Sequence, residues 1–339
     1  MKFLHTADLH LDSPMDSKLP PEKAKERRAE LLTAFSRMAE RASEIGVRAV
    51  IIAGDLFDRK KVTRRAMKYV LDTAARYSGI DFLVLEGNHD GSAFENEILP
   101  NNFKLFSNEA TFFDYENIRV SAYSDGMTFD PSFVNISVFH GADGTDLDVS
   151  RLGGKGIDYL ALGHYHSYST GKLDPRGVWC YSGCPAGRGF DECGEKGFII
   201  IEVENKNVSH SFVPLAGRSV IELDVDMSDG VSLSEQERII SDVISGVDRE
   251  NLVRVRITGT FELGRDKFYD HIAERYKKEF YYFEIKDESG LKIEPKDYAG
   301  DISLKGEFIR LVMKEMPEGA ARSRVISMGI KALRGEDIE

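Results

Sequence analysis

Two histidines, His164 and His166, stand one residue apart directly after an apolar run, in a chain that has only 8 histidines among 339 residues. On an extended backbone, residues i and i+2 point to the same side, so the two imidazoles can serve one shared task. Metal binding is such a task, because neutral imidazole is a common metal ligand. A motif this short also arises by chance, so the rest of the chain must decide.

Residues of the same chemical kinds follow four other apolar segments. With Gly163-His164-Tyr165-His166 they contain five of the 8 histidines, and they are Asp8-Leu9-His10, Gly54-Asp55-Leu56-Phe57-Asp58, Gly87-Asn88-His89-Asp90 and His140-Gly141. Carboxylates, imidazoles and one amide oxygen form a mixed ligand set that suits Mn²⁺, Fe²⁺ or Zn²⁺ rather than Ca²⁺ or a thiolate zinc site. The set is large enough for two ions, with one carboxylate bridging them at the ~3.5–4 Å separation of two-metal hydrolases.

Each motif follows a segment that is predicted to be a β-strand. Short apolar runs are typical of strands buried on both faces, and the predicted strands are 2–7, 49–53, 80–85, 136–139, 159–162, 178–181 and 198–203. Apolar spacing predicts one helix that follows Pro20 and Pro21 and stops at Gly46, and a second over 63–77. Strands that alternate with helices indicate an α/β fold with a partly parallel sheet, in which functional groups gather where strands end.

The pattern changes near Pro214. Beyond it, the sequence predicts a compact β-α-β-α-β unit with strands 220–225, 252–257 and 281–285 and helices 234–244 and 267–280. Ser234 is the predicted N-cap of the first of these helices, with Glu237 as its capping-box partner. Two short amphipathic helices follow, with apolar stripes at Phe308, Leu311 and Val312 and at Val325, Met328 and Leu333. These changes predict three regions: 1–215, 216–305 and 306–339.

Composition limits the classes of function. The formal net charge of −12 counts against a generic nucleic-acid binder, which usually has a basic domain. The 3 cysteines, Cys180, Cys184 and Cys193, are an odd and sparse set that argues against a disulfide framework. No apolar stretch approaches the ~18 residues that a membrane span needs, and no apolar signal core follows the first residues. We therefore expect a cytoplasmic protein that does not interact with a membrane.

Taken in order, the five motifs resemble the complete set of the calcineurin-like metallophosphoesterases. The segments "FLHTADLHLDSP", "GDLFD" and "CYSGCPAGRGFDECGEKGFIIIEV" resemble the SbcD-type DNA repair exonucleases and their smaller YhaO-like branch, with Cys184 where serine is usual. The similarity is close over 1–215 and loose beyond. It implies a metallophosphoesterase α/β/β/α sandwich followed by a small α/β capping-like accessory domain and a helical tail.

The resemblance also implies a role for each motif. Seven residues would be metal ligands: Asp8, His10 and His166 for the first ion, Asp55 as the bridge, and Asn88, His140 and His164 for the second. His89 would steady the scissile phosphate or protonate the leaving oxygen, and Asp90 would orient it. Asp58 stands where many nucleases of the family carry histidine, and both a catalytic role and the role of a turn aspartate bonded to its own loop stay open.

The implied function is a two-metal phosphodiesterase, a DNA repair exo- or endonuclease that hydrolyses DNA with a metal-bridging hydroxide. Its cofactors would be two divalent ions, Mn²⁺ first, with Fe²⁺, Zn²⁺ and Mg²⁺ as alternatives. Its partners would be DNA and an SMC-like (SbcC-like) ATPase held by the C-terminal helices, and homodimerisation is left open. The basic run 59–65 either holds DNA phosphates at the rim of the site or is a solvated helix start.

Two other functions compete with this one. A metallophosphatase or phosphodiesterase for small nucleotides or phosphoproteins would use the same ligands, and it is favoured by the acidic balance and by Asp58. An interaction module with a decayed site is disfavoured, because the ligand set is intact. Three histidines have no predicted role in the site: His5 and His210 are expected to be structural, and His271 to lie on the surface.

Overall fold

The structure is a computed structural model that describes residues 1–15, 19–58, 62–91, 93–107, 111–261, 265–292 and 298–334. Its contacts divide the chain into two units, 1–219 and 220–339. The finer division into three regions stays a prediction. Among the helices of the described residues, none is both long and apolar enough to cross a membrane.

Twelve strands of the first unit form two six-stranded sheets. They are β1 (Lys2–Thr6), β2 (Ala49–Ala53), β3 (Asp81–Leu85), β4 (Phe103–Leu105), β5 (Phe112–Tyr115), β6 (Ile118–Ala122), β7 (Val134–His140), β8 (Tyr159–Gly163), β9 (Ser169–Lys172), β10 (Val178–Tyr181), β11 (Gly197–Glu204) and β12 (Asn207–Pro214). The first sheet has the order β12-β11-β1-β2-β3-β4, and β1 to β4 run parallel. The second has the order β5-β6-β7-β8-β10-β9, and β6, β7, β8 and β10 run parallel.

The main core of this unit joins the two sheets. Side chains of β1, β2, β7 and β8 share one buried cluster, which includes Phe3, Ile51, Val138 and Ala161. Burying such apolar surface is the dominant favourable contribution to folding. The inner strand β2 is buried at all five positions, as its wholly apolar sequence predicts.

Two helices, α1 (Pro21–Ile45) and α2 (Arg64–Arg76), accompany the first sheet. Phe35 of α1 lies 6.0 Å from Phe82 of β3, measured between ring centroids, so this helix packs on the sheet. Helix α1 ends at Gly46, whose φ of 74° is the left-handed cap that glycine favours. On the second sheet, Leu160 and Leu162 pack with a short 3-10 helix, Val149–Leu152, and with nearby loops.

The second unit contains the predicted β-α-β-α-β arrangement. Its elements are β13 (Val220–Asp226), α3 (Leu233–Ile244), β14 (Leu252–Thr258), β15 (Thr260–Phe261), α4 (Tyr269–Tyr276), β16 (Tyr282–Asp287), β17 (Gly290–Leu291), α5 (Leu304–Glu315) and α6 (Ala320–Arg334). Strands β13, β14 and β16 form a parallel sheet, and β15 pairs with β17. Helices α3 and α4 pack with this sheet through one apolar cluster. The predicted α/β fold class is confirmed in both units.

One helix cap is wrong in the prediction. The N-cap of α3 is Ser232, whose side chain accepts a hydrogen bond from the Glu235 amide, while Glu235 reaches back to the Ser232 amide in a capping box. The predicted pair, Ser234 and Glu237, has the same spacing two residues later. Glu237 instead forms an ion pair with Arg275 of α4.

The apolar stripes of the tail are also partly wrong. Helices α5 and α6 pack through Ile309, Val312, Ile326 and Ile330, so only Val312 of the predicted stripes is in the buried set. Leu311, Met328 and Leu333 are 57%, 38% and 45% exposed, since several apolar residues compete for one face of each helix. Gly329 helps to select that face, because a Cβ there would lie 2.2 Å from Cζ of Phe308.

Candidate metal centre

The five sequence motifs meet where strands of the two sheets end. Asp8 follows β1 and Asp55 follows β2, and main-chain hydrogen bonds join these loops, from the Asp8 amide to the Gly54 carbonyl (3.1 Å) and from the His10 amide to the Asp55 carbonyl (3.0 Å). His164 follows β8, and its amide lies 3.0 Å from both carboxylate oxygens of Asp8. The two sheets are therefore tied together at the site itself.

Several of these residues have a backbone that L-amino acids rarely adopt. Asp8, His10, Asp55 and His164 have φ angles of 52°, 45°, 51° and 112°. Such conformations cost of order 1–3 kcal/mol each and gather at functional sites. The sharp turns direct the chain away from its strand, so that successive loops can place side chains in one small volume.

Within the described residues, three groups of potential ligands have all their ligand atoms within 4.8 Å of one another. They are Asp8–His10–His166, Asp8–Asp55–His140 and His10–Asp58–His89. Asp55 belongs to the second group and also faces the first, because its Oδ2 is 3.2 Å from His140 Nε2 and 3.8 Å from His10 Nε2. This is the position that a bridging carboxylate requires.

Two of the imidazoles are held with Nε2 available to a metal. His140 Nδ1 lies 2.9 Å from the Ala53 carbonyl and His166 Nδ1 lies 2.9 Å from Glu192 Oε1. Because both partners only accept hydrogen bonds, each Nδ1 must carry the proton. The Nε2 atoms of His166 and His10 lie 3.1 Å apart, so their ring nitrogens converge.

The donor set fits divalent cations. Asp8 and Asp55 are only 1% and 3% exposed, and the first two ligand groups pair these carboxylates with imidazoles alone. Buried carboxylates need a compensating charge, and a bound metal ion supplies one. Mixed carboxylate and imidazole donors suit Mn²⁺, Fe²⁺ and Zn²⁺.

The pKa values of the metal-free centre follow from the same packing. Burial alone would lower the pKa of His140, but the carboxylates of Asp55 and Asp8 raise it to about 9. Burial would raise the pKa of Asp55, and His140 reverses this and lowers it to about 2. For Asp8 burial prevails and raises the pKa to about 6, despite nearby His140 and His166. His140 therefore carries a proton at neutral pH, which a cation on this side must displace.

The other predicted residues lie around these groups. His164 lies beside His140, with ring centroids 5.7 Å apart. His89 is exposed, its amide donates to Asp55 Oδ1 (3.0 Å), and its ring lies 5.1 Å from that of His10. Asn88 is exposed in the same loop, and its role as a ligand stays a prediction.

Asp90 contacts the main chain rather than the His89 ring. Its carboxylate is fully buried and accepts hydrogen bonds from the amides of Leu56 (3.2 Å), Phe57 (2.7 Å) and Gly87 (2.9 Å). His89 Nδ1 instead lies 3.2 Å from the Asp58 carbonyl oxygen. Direct orientation of His89 by Asp90 is therefore not observed, since Asp90 ties the third motif to the second through the backbone.

Asp58 contacts residues outside its own loop. Its Oδ1 lies 3.0 Å from His10 Nδ1 and accepts a hydrogen bond from Arg188 Nη1 at 2.7 Å. Arg188 in turn donates to Glu192, which holds His166. Neither Arg188 nor Glu192 is among the predicted site residues. They lie in the segment Gly-Arg-Gly-Phe-Asp-Glu, which resembles the exonucleases but contains no spacing that assigns a role.

A cavity of about 460 Å³ gives access to the centre. It is lined by, among others, His10, Asp58, His89, His164, His166 and Arg188. Within the basic run 59–65, residues 59–61 lie outside the described residues, and Arg64 and Arg65 are exposed where α2 begins.

The remaining histidines and the cysteines occupy structural positions. His5 is buried beside the Tyr159 hydroxyl (3.0 Å), and His210 lies 3.2 Å from the Thr170 hydroxyl. His271 is exposed. All three cysteines are free thiols, and two of them, Cys180 and Cys184, are buried.

Comparison with known proteins identifies the family. Residues 1–168 match the calcineurin-like phosphoesterases. An uncharacterized metallophosphoesterase, YhaO of Bacillus subtilis, is 26% identical over 77% of this chain and 72% of its own length. The DNA double-strand break repair protein Mre11 of Sulfolobus acidocaldarius is 23% identical over 78% of this chain and 77% of its own length.

A third relative shares a shorter region at higher identity. The Mre11 protein of Aeropyrum pernix is 35% identical over 100 residues, which are 29% of this chain and 23% of that protein. The expected resemblance is thus confirmed at the level of the family and its relatives. The first unit of this chain contains a calcineurin-like metallophosphoesterase domain, homologous to YhaO and to Mre11-type proteins.

Proposed function

We propose that the chain is a two-metal phosphodiesterase that hydrolyses DNA. The observation that carries the proposal is the placement of Asp55 Oδ2 between His140 Nε2 and His10 Nε2. These two histidines belong to different ligand groups, and Asp8 belongs to both groups. Such an arrangement suits a pair of ions bridged by one carboxylate. DNA as the substrate is supported by the relatives that are named as DNA double-strand break repair proteins.

The chemistry divides between the ions and the protein. When bound, two divalent ions would supply Lewis acidity and an activated water for attack on phosphorus. His89 would bind the scissile phosphate or donate a proton to the leaving oxygen, because it is exposed at the cavity and its amide is fixed by Asp55. Mn²⁺ is the first candidate ion, with Fe²⁺, Zn²⁺ and Mg²⁺ as the alternatives.

The second candidate is a phosphatase or phosphodiesterase for small nucleotides or phosphoproteins. Two observations favour it: the net charge is −12, and Asp58 stands at the cavity, engaged with Arg188, where many nucleases of the family carry histidine. An acidic surface repels the DNA backbone, although bound cations and basic residues near the site would offset this locally.

One assay separates the two candidates. The full chain, loaded with Mn²⁺, is given 3′- and 5′-labelled single- and double-stranded DNA and, in parallel, a chromogenic phosphodiester and a mononucleotide. A nuclease should show a far higher kcat/KM on DNA, and the labels report the polarity of cleavage. A kcat/KM that is higher for the small substrates would support the second candidate instead.

The partner in this proposal is an SMC-like ATPase that docks on the C-terminal helices. Leu311 of α5 and Met328 and Leu333 of α6 are exposed apolar residues, which is how helices contact a partner's groove. In the full chain, Leu311→Ser with Met328→Ser should abolish co-purification with the ATPase and leave DNA hydrolysis unchanged. Val231→Ser is the matched control, since Val231 is 65% exposed outside these helices. Unchanged binding by the double variant would contradict this docking surface.

A further inference from the structure

We propose that Arg188 and Glu192 are a positioning pair that holds two ligands of one metal ion, His10 and His166, at the same time. The inference rests on the metal-dependent hydrolysis proposed above, but it does not depend on DNA as the substrate. Neither residue belongs to the ligand groups themselves. Glu192 acts through His166 and Arg188 acts through Asp58, and both of these are members of the ligand groups.

Glu192 holds His166 and Arg188 together. Its Oε1 lies 2.9 Å from His166 Nδ1 and accepts hydrogen bonds from Arg188 Nε (2.9 Å) and Nη2 (2.6 Å). Its Oε2 accepts a further bond from the Arg188 amide at 2.7 Å. The Glu192 side chain is only 1% exposed, so protein groups take the place of water around the carboxylate.

Arg188 extends the connection to the other ligand. Its Nη1 donates to Asp58 Oδ1 at 2.7 Å, and the same oxygen lies 3.0 Å from His10 Nδ1. The Nε2 atoms of His10 and His166 then face each other at 3.1 Å. The contacts thus form a closed ring of His166, Glu192, Arg188, Asp58 and His10.

The chemistry of arginine makes this ring rigid. The planar guanidinium presents its donors in a fixed fork, so that it sets the spacing of the two carboxylates it joins. Each carboxylate in turn sits behind the Nδ1 of an imidazole, which orients the ring. Arg188 also balances charge, because without it two carboxylates would face each other across the site.

The pair acts on one side of the centre only. His140 Nδ1 faces a main-chain carbonyl, and Asp55 Oδ1 accepts a hydrogen bond from a main-chain amide. Replacing Arg188 or Glu192 should therefore weaken the binding of the ion that His10 and His166 hold. The affinity for the other ion should be nearly unchanged.

Mn²⁺ binding to the metal-free full chain tests this without any substrate. Titration calorimetry and the electron paramagnetic resonance of bound Mn²⁺ resolve the two ions. Glu192→Gln should lower the affinity for one Mn²⁺ ion by about 10–100-fold, the usual effect of removing such a supporting group. The affinity for the other ion should fall by less than about threefold. Glu195→Gln is the matched control, because Glu195 is an exposed glutamate three residues away and should match the wild type.

A double variant tests whether the contacts act as a unit. If Asp58 and Glu192 act through Arg188, Asp58→Asn combined with Glu192→Gln should weaken Mn²⁺ binding by much less than the product of the single effects. Effects that multiply to within about twofold would mean that the two residues act independently, and would overturn the proposal.

Arg188→Lys and the wild type complete the test. Arg188→Lys keeps the charge but not the fork, so it should weaken the same ion by an intermediate factor, and unchanged affinity would overturn the proposal. The same titration on this variant decides the question if circular dichroism shows Glu192→Gln to be unfolded. Failure of the wild type to bind two Mn²⁺ would contradict the proposed two-metal function. Binding of two Mn²⁺ without DNA hydrolysis would contradict only the substrate.

Discussion

The two sides of the metal centre are built in different ways. His10 and His166 are supported by charged side chains, those of Asp58 and Glu192. Asp55 and His140 contact each other at 3.2 Å, and the main chain holds both, through the His89 amide and the Ala53 carbonyl. Ligands held by side chains can be loosened by substitutions that leave the ligands in place. Ligands held by the main chain change only when the ligand or the local backbone changes.

On the side of Asp55 and His140, glycine residues allow the main chain to come close to these ligands. A Cβ on Gly87 would lie 2.2 Å from Asp55 Oδ1, and a Cβ on Gly163 would lie 2.0 Å from the Ala53 carbonyl oxygen. Real Cβ atoms do not approach other atoms so closely, so these positions accept no side chain without a shift of the backbone. The packing of the loops thus supports Asp55 and His140, as the side chains of Asp58 and Glu192 support His10 and His166.

The largest effect is expected for Asp55→Ala, which removes a carboxylate placed between the two sides of the centre. Because its Oδ2 faces both His140 and His10, the variant should lose bound metal and all measurable hydrolysis. Metal content by mass spectrometry and turnover of DNA measure the two effects. Retention of two metal equivalents would remove Asp55 from the bridging role.

His89→Ala should separate catalysis from metal binding. The ring is exposed beside both sides but lies outside the first two ligand groups, so the variant should keep its metals and its DNA affinity. Turnover should fall by about 10²–10⁴-fold, the usual contribution of a general acid or base. Loss of metal together with turnover would mean that His89 is itself a ligand.

Gly87→Ala tests the main-chain side directly. The added methyl group would displace Asp55, and we expect Mn²⁺ affinity to fall by about 10–100-fold, the range for disturbed support of a ligand. Gly79→Ala is the matched control, because a Cβ there meets no atom within 4 Å. Wild-type affinity in Gly87→Ala would show that the loop yields easily, and the contrast between the two sides would then fail.

The smallest expected effect is the release of protons when Mn²⁺ binds. Since the carboxylates raise the pKa of His140 to about 9, Mn²⁺ uptake should release a proton at pH 7.5. Burial raises the pKa of Asp8 to about 6, so the number released should increase as the pH falls to 5.5. Calorimetry in buffers of different ionisation enthalpy counts these protons. A count of zero at pH 7.5 would contradict a protonated His140 in the metal-free centre.

Much of the fold could be predicted because its inner strands are apolar. The run at 49–53 is β2 without any change of boundary, and 159–162 differs from β8 by one residue. Strands with mainly polar sequences were missed, such as β9 and β12, whose residues alternate between more and less exposed. Their pairing partners, rather than their own composition, make them strands.

Local sequence patterns also did not predict the N-cap of α3 or the residues that support the metal ligands. Ser232 and Ser234 each precede a glutamate by three residues, so both fit a capping box, and the ion pair of Glu237 with Arg275 comes from another helix. The ligand motifs could be found because each is contiguous in sequence. Arg188 and Asp58 are 130 positions apart, and only the folded chain brings them together.

The left-handed backbone at Asp8, His10 and Asp55 opposes thermal stability. Glycine adopts positive φ without strain, but it would remove the carboxylate or imidazole, so backbone strain and function conflict at these turns. Improving this protein for use at high temperature meets the same conflict, and stabilising substitutions are best sought away from these three turns.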